Sequence, residues 1–90
     1  MIRNSLIVDG RVQGVGFRFF SQMAACDLNL TGWVKNLYDG RVEIEVQGTE
    51  ENVNKFITKI KKGAGFSKVT NITLNSIPLV LKEKKYLIKY

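Results

Sequence analysis

Residues 10–18 read GRVQGVGFR and place three glycines and two arginines between a short apolar stretch and a segment with helical spacing of aromatic residues. Glycines let successive backbone N–H groups turn toward an anion and let that anion approach the main chain closely. A helix N-terminus adds partial positive charge, and an arginine adds a planar fork of donors that matches phosphate or carboxylate oxygens. This glycine loop, residues 10–18, is therefore a candidate anion site, although loops of this composition also serve only to turn the chain.

Hydrophobic periodicity predicts the elements around the glycine loop. Alternating apolar residues indicate strands, apolar residues three or four apart indicate helices, and Asp39-Gly40 favours a two-residue hairpin turn. Thr49 is placed to cap the second helix and Gly63 to end it. The predicted elements are a strand at 5–9, a helix at 18–28, strands at 32–38 and 41–48, a helix at 50–62, a strand at 68–75 and a short fifth strand at 86–90.

The element order predicts an α+β fold of the ferredoxin-like, split βαβ type (βαββαβ). We expect a mostly antiparallel sheet of four main strands plus the short fifth strand, with both helices on one face. Ninety residues with 44% hydrophobic content and one proline suffice for one core, so residues 1–90 are expected to form a single domain. Cys26 lies within the apolar pattern of the first helix and is expected to fill that core.

The charge balance favours an anionic partner. A formal net charge of +6 suits nucleic acid, an anionic lipid surface or a small phosphorylated or carboxylated ligand. Nine of the fourteen basic residues lie at Lys55 or later, and we expect them to be solvated helix-end and terminal charges. No apolar run approaches the roughly 18 residues of a membrane span, and the apolar part of the N-terminus is too short for a signal peptide. These absences lead us to expect a soluble, intracellular protein. We further expect a cytoplasmic monomer whose partner is a small molecule, without a nucleic-acid or membrane partner.

The chain contains no histidine. This removes the commonest general base, the commonest zinc ligand and the nucleophile pairs that depend on histidine. The eight carboxylates do not cluster in the spacing of a metal site or of an acid–base pair. Any chemistry is therefore expected to depend on positioning and electrostatics, without a metal or another cofactor.

Asn36 is the second candidate site residue. It lies two positions after Val34 on a predicted strand and should point to the same, helix-facing side. An amide there either bonds neighbouring backbone or reaches toward the anion of the glycine loop. Trp33 and Tyr38 flank it and either line a substrate mouth or pack on the sheet. Arg11 either steers anions toward the loop or is simply solvated.

Residues 10–18, together with GWVKNLYDGRVEIEVQG at residues 32–48, closely resemble the two signatures of the acylphosphatase family. The resemblance covers nearly the whole chain in length, element order and the tyrosine-ended last strand. It implies hydrolysis of the carboxyl-phosphate bond of acyl phosphates to a carboxylate and inorganic phosphate, without a metal. Asn29 replaces a glycine usual in that family, and residues 63–66 replace a more proline-rich connection, but neither departure touches the predicted site.

The resemblance also implies roles for individual residues. Arg18 is expected to hold the phosphoryl group, and Asn36 is expected to orient the attacking water. Backbone N–H groups of the loop complete this site, which a phosphate or sulfate ion should also occupy. The loop residues concerned are Gln13, Gly14, Val15, Gly16, Phe17 and Arg18.

Three kinds of binding function are alternatives to hydrolysis. RNA-recognition domains share the element order, but their aromatic motif lies on the third strand, where this chain has Glu43 and Glu45 on the expected exposed face. A dinucleotide-binding fingerprint fails because Phe19 stands where the third glycine belongs. A domain of the resembled family that binds anions without useful turnover stays open as an alternative.

Overall fold

A computed structural model describes residues 1–90 as seven elements in the predicted order, built on one five-stranded sheet. The elements are β1 Ile2–Arg11, α1 Phe17–Asp27, β2 Thr31–Asn36, β3 Val42–Gly48, α2 Glu50–Lys62, β4 Lys68–Ile77 and β5 Tyr86–Lys89. The strands lie in the order β4-β1-β3-β2-β5, and every pair is antiparallel except β2 with β5. The predicted α+β, ferredoxin-like fold is confirmed, including its short fifth strand.

The core lies between the two helices and one face of the sheet. Strand alternation places Leu6 and Val8 of β1 and Ile44 of β3 on that face, where all three are fully buried. These side chains form one cluster with Phe17 of α1 and with the apolar stripe of α2, so both helices cover the same face. The α2 stripe consists of Val53, Phe56, Ile57 and Ile60.

The residues at both termini of α2 and at the C-terminus of α1 have the capping roles that the sequence predicts. The Thr49 side-chain oxygen accepts a hydrogen bond from the Asn52 N–H at 3.3 Å, and acidic first-turn and basic last-turn residues of α2 complement its dipole. Gly63 ends α2 with a left-handed φ of 68°, and Asn29 takes a left-handed φ of 55° after α1. Neither helix is long and apolar enough to cross a bilayer.

The hairpin between β2 and β3 differs from the predicted two-residue turn. Asn36 pairs with Val42, and the Leu37 N–H donates to the Arg41 carbonyl at 2.8 Å, which leaves residues 38–40 as a three-residue loop. Asp39 accepts from the Arg41 guanidinium inside this loop at 2.8 Å, and that hydrogen bond holds the pKa of Asp39 below its ordinary value. The local Asp39–Arg41 pair thus accompanies a longer turn than Asp39-Gly40 alone predicts.

The prediction that Cys26 fills the core is wrong, since the thiol is exposed. The buried residues of α1 are Phe17, Ser21, Ala24 and Ala25. Each residue of an α-helix is rotated by about 100° around the helix axis from the one before it. Ala25 lies at the margin of the buried face, so Cys26 turns toward solvent. The buried face of α1 is therefore narrower than its apolar residues suggest.

A buried arginine lies on the opposite face of the sheet, at the end remote from the glycine loop. The Arg3 side chain is 1% exposed and donates to both carboxylate oxygens of Glu83, at 2.7 and 3.2 Å, and to Glu45 at 3.0 Å. Gln47 accepts from Arg3 and exchanges two further hydrogen bonds with the backbone of Val80. This Arg3 cluster, formed by Arg3, Glu45, Gln47 and Glu83, ties the connection between β4 and β5 to the sheet.

Candidate active site

The C-terminal ends of three strands bring the candidate site residues together at the same end of the sheet. β1 and β2 are both antiparallel to β3, and β5 is parallel to β2, so β1, β2 and β5 run in the same direction. The glycine loop leaves the end of β1, Asn36 is the last residue of β2, and Tyr90 follows β5. Segments that are far apart in the chain therefore meet at one end of the molecule.

The glycine loop presents unpaired backbone donors. Gly14 and Gly16 take left-handed φ values of 72° and 78°, and open space surrounds the position where each would carry a Cβ. Glycine is thus required there by conformation and not by crowding. The backbone N–H groups of residues 13–16 donate to no backbone carbonyl. Residues 17–19 lie in the first turn of α1, where the N–H groups have no acceptor within the helix. The loop and the helix start together form a row of available donors.

A cavity of about 330 Å³ opens beside these donors. Five of the predicted site residues line it, and Gln13 and Val15 do not. Gln13 instead uses its side-chain amide to donate to the carbonyls of Leu37 and Arg41, at 2.7 and 2.8 Å, while Val15 packs against the core. The complete lining is Val12, Gly14, Gly16, Phe17, Arg18, Phe19, Asn36, Ile88 and Tyr90.

Arg18 reaches the cavity without an acidic partner. Its Nη1 donates to the Lys89 carbonyl at 3.1 Å, and its Cζ lies 4.7 Å from the centroid of the Tyr90 ring. The four salt bridges of the molecule involve other residues. A neutral carbonyl and an aromatic ring orient the guanidinium but leave its charge uncompensated, which favours an anion beside it.

Asn36 lines the same cavity and carries a buried acceptor without a partner. As predicted, it shares the helix-facing side of β2 with the fully buried Val34. Its Oδ1 is buried and has no hydrogen-bond partner in the protein. A buried acceptor without a partner is costly, typically about 1–3 kcal/mol, so such a group favours a bound donor. The backbone-bonding alternative for Asn36 therefore leaves this oxygen unexplained.

Sequence reasoning missed the contribution of β5 to the cavity, where Ile88 and Tyr90 form part of the wall. Tyr86 anchors this strand: its ring centroid lies 6.0 Å from that of Phe56, and its hydroxyl donates to Ser21 Oγ at 3.3 Å. Burial raises the pKa of the Tyr86 hydroxyl, which keeps it protonated as a donor. No signal in the sequence indicates this contribution, because the place of β5 follows from its parallel pairing with β2.

The remaining candidates lie outside the cavity. Trp33 is on the opposite face of the sheet, where the Lys89 Nζ lies 4.4 Å from the centroid of its ring. Tyr38 is fully exposed and lines a neighbouring groove that shares Asn36 with the cavity. Arg11 is exposed at the end of β1. No group of three or more histidine, cysteine, aspartate or glutamate side chains is arranged to hold a metal ion.

Comparison with known proteins identifies the family. The sequence profile named Acylphosphatase matches residues 4–88. An acylphosphatase of Clostridium beijerinckii is 63% identical over 90 residues, which are 100% of both chains. The crystal structure of acylphosphatase from Bacillus subtilis superposes with a TM-score of 0.96 at 47% identity, covering 100% of both chains. An acylphosphatase structure from Coxiella burnetii gives a TM-score of 0.91 at 31% identity, covering 98% of this chain and 92% of that one. The chain belongs to the acylphosphatase family of hydrolases.

Proposed function

We propose that the chain hydrolyses the carboxyl-phosphate bond of small-molecule acyl phosphates, giving a carboxylate and inorganic phosphate. In this proposal the loop residues 13–18 and the Arg18 guanidinium hold the phosphoryl group, Asn36 orients the attacking water, and no metal takes part. One observation carries it: an unpaired arginine, a row of free N–H donors and an asparagine with an unsatisfied amide oxygen line one cavity. We further propose that the protein acts as a single-domain monomer in the cytoplasm.

The phosphoryl group is held by charge and geometry. Its three non-bridging oxygens carry negative charge that the free N–H groups of the loop and the helix N-terminus can meet directly. Arg18 adds two or more N–H donors and a full positive charge from the side, held in place by the Lys89 carbonyl. These groups are in position before the substrate arrives and stabilise charge as it shifts onto the phosphoryl oxygens. A phosphate or sulfate ion is expected to bind to the same donors.

The attacking water is oriented by the Asn36 amide. A water O–H that donates to Oδ1 leaves a lone pair of the water oxygen free to point at phosphorus. The new water O–P bond forms as the P–O bond to the acyl group breaks, and the carboxylate leaves with the bonding electron pair. An amide cannot take the water proton at neutral pH, so the proton passes to a phosphoryl oxygen of the substrate.

The chemistry requires no general base from the protein. A carboxylate is a good leaving group, so the barrier falls mainly through in-line placement of the water and electrostatic stabilisation. A chain without histidine is compatible with such a reaction. The same reasoning predicts that a metal chelator leaves the rate unchanged.

The decisive assay measures phosphate release from benzoyl phosphate, with a phosphomonoester such as phenyl phosphate as the control substrate and EDTA as a second arm. We expect turnover of the acyl phosphate alone, at a rate that EDTA does not alter. Phosphate binding without turnover would establish the anion-binding alternative instead. Activity that EDTA abolishes would contradict the metal-free mechanism.

A further inference from the structure

The turn between α2 and β4 exposes a phenylalanine. Phe66 is 84% exposed, does not belong to the core cluster and lines no cavity. The Ser67 N–H donates to the Ala64 carbonyl at 3.0 Å, and the Ala64 N–H donates to Ser67 Oγ at 2.8 Å. These two hydrogen bonds close a tight turn that contains Phe66. The turn therefore holds an aromatic ring out in solvent, away from the core.

Four basic residues lie beside this turn. Lys61 and Lys62 end α2, Lys68 begins β4, and Arg11 of β1 pairs with Lys68 across the sheet. All four are exposed, and none takes part in a salt bridge. The chain carries no acidic residue from position 52 to position 82. We call this set the Phe66 patch; it consists of Arg11, Lys61, Lys62, Phe66 and Lys68.

The patch combines uncompensated positive charge with one projecting aromatic ring. Asp9, two residues before Arg11, is the nearest carboxylate along the chain and leaves the patch with a net positive charge. Basic residues next to an anionic bilayer are attracted to its surface, and an apolar ring gains by entering the boundary between headgroups and acyl chains. Single-stranded nucleic acid is typically bound along a basic groove lined by aromatic rings, whereas Phe66 lines no groove. The combination therefore fits a lipid surface better than a nucleic acid.

We propose that the Phe66 patch docks the protein on an anionic lipid bilayer, with lipid phosphates against the basic side chains and the Phe66 ring inserted below them. This peripheral contact revises the sequence-based expectation that the protein has no membrane partner and that these lysines are only solvated. It does not depend on the proposed hydrolysis. Arg11 belongs to the glycine loop, so docking turns the loop end of the sheet toward the membrane.

The experiment measures co-sedimentation of the full chain with vesicles of phosphatidylcholine alone and with vesicles of equal parts phosphatidylcholine and phosphatidylglycerol. We expect binding to the anionic vesicles alone. Raising the salt concentration from about 0.1 M to about 1 M should release the protein, because the Debye length falls from roughly 10 Å to roughly 3 Å. Phe66→Ala and the double variant Lys61→Gln/Lys62→Gln should each weaken partitioning roughly tenfold.

Two matched controls test whether the position of these residues matters. Lys84→Gln/Lys85→Gln removes the same charge from exposed lysines at the start of β5, the end of the sheet remote from the patch. Tyr38→Ala removes a fully exposed aromatic ring from a turn where Asp39 and Arg41 pair with each other. We expect each control to change partitioning less than about threefold. Circular dichroism verifies that every variant is folded.

Three outcomes would overturn the proposal. The first is no binding to anionic vesicles, or equal binding to both vesicle types. The second is a loss of binding in the controls as large as that in the patch variants, which would show a general effect of net charge or of surface aromatic residues. The third is tighter binding to a single-stranded oligonucleotide than to the vesicles, abolished by Phe66→Ala, which would make the partner of the patch a nucleic acid.

Discussion

Two arginines at opposite ends of the sheet have opposite surroundings. Arg3 is buried among two carboxylates and an amide. Its guanidinium nitrogens lie 2.9 Å from a carboxylate oxygen of Glu45 and 2.7 Å from one of Glu83, so its charge is neutralised by the protein. Arg18 contacts a carbonyl and an aromatic ring and meets no carboxylate. A buried guanidinium that the protein itself neutralises holds elements together, whereas one that is oriented but left unneutralised is available to a ligand.

The amides beside the two arginines show the same contrast. Gln47, in the Arg3 cluster, uses both its Oε1 and its Nε2 in hydrogen bonds at 2.8 to 3.2 Å. Asn36, in the cavity with Arg18, has a buried Oδ1 that no donor reaches. The amide beside the neutralised arginine is thus satisfied, whereas the amide beside Arg18 keeps an acceptor that a ligand can use.

The largest effect on catalysis is expected from Arg18→Ala. Loss of the only unpaired guanidinium in the cavity should lower kcat/KM for benzoyl phosphate by roughly 10³ or more, about 4 kcal/mol, as for other arginines that clamp transferring phosphoryl groups. The measurement is steady-state phosphate release. Arg11→Ala is the matched control, because Arg11 is exposed and does not line the cavity, and we expect its effect to stay below about threefold. Retained activity in Arg18→Ala would assign the clamp to another residue.

A smaller effect on catalysis, confined to kcat, is expected from Asn36→Ala. Misplacing the water should lower kcat roughly 10²-fold, while inorganic phosphate, which contacts the loop and Arg18, should inhibit the variant as strongly as the wild type. Asn71→Ala removes an exposed amide on β4 and serves as the control. A large loss of phosphate affinity with an unchanged circular dichroism spectrum would place Asn36 among the phosphoryl ligands instead.

Arg3→Met should change stability and leave catalysis almost unaltered. It removes the cation but keeps an apolar stem, so Glu45 and Glu83 lose their partner; since both carboxylates retain some contact with water, we expect a fall of about 2–3 kcal/mol in the free energy of unfolding. Urea unfolding measures this fall, and kcat/KM of the folded protein should change less than about twofold. A tenfold loss of kcat/KM would show that the two ends of the sheet are coupled.

Most of the fold could be predicted from the sequence because the signals for helices, strands and caps come from residues close together in the chain. The Thr49 cap, the Gly63 stop and the buried face of β3 each depend on residues a few positions apart, and all three have the predicted structure. The other face of β3 was expected to be exposed, but Glu43 and Glu45 are half-buried, and Glu45 binds Arg3. The errors also have local causes. At residues 38–40 the Asp39–Arg41 pair accompanies a longer loop than the dipeptide predicted, and on α1 the buried face is too narrow to include Cys26.

Features that depend on distant residues could not be predicted from the sequence. The Arg3 cluster joins positions 3, 45, 47 and 83, and nothing near Arg3 in the chain indicates that it is buried. The same holds for Lys89 and Tyr90, whose place beside Arg18 follows from the parallel pairing of β5 with β2. Arg18 and Asn36 were found because each lies in a recognisable motif, although their roles remain proposals.

Gln13 links the glycine loop to the hairpin between β2 and β3, which the glycines of the loop cannot do. Its amide nitrogen donates to two carbonyls at the two ends of the hairpin loop, and that hairpin begins directly after Asn36. The glycine loop and the end of β2, which we propose hold the phosphoryl group and orient the water, are thus fastened to each other, so their separation is set when the chain folds. In the proposed mechanism, this link keeps the two segments at a fixed distance before substrate binds.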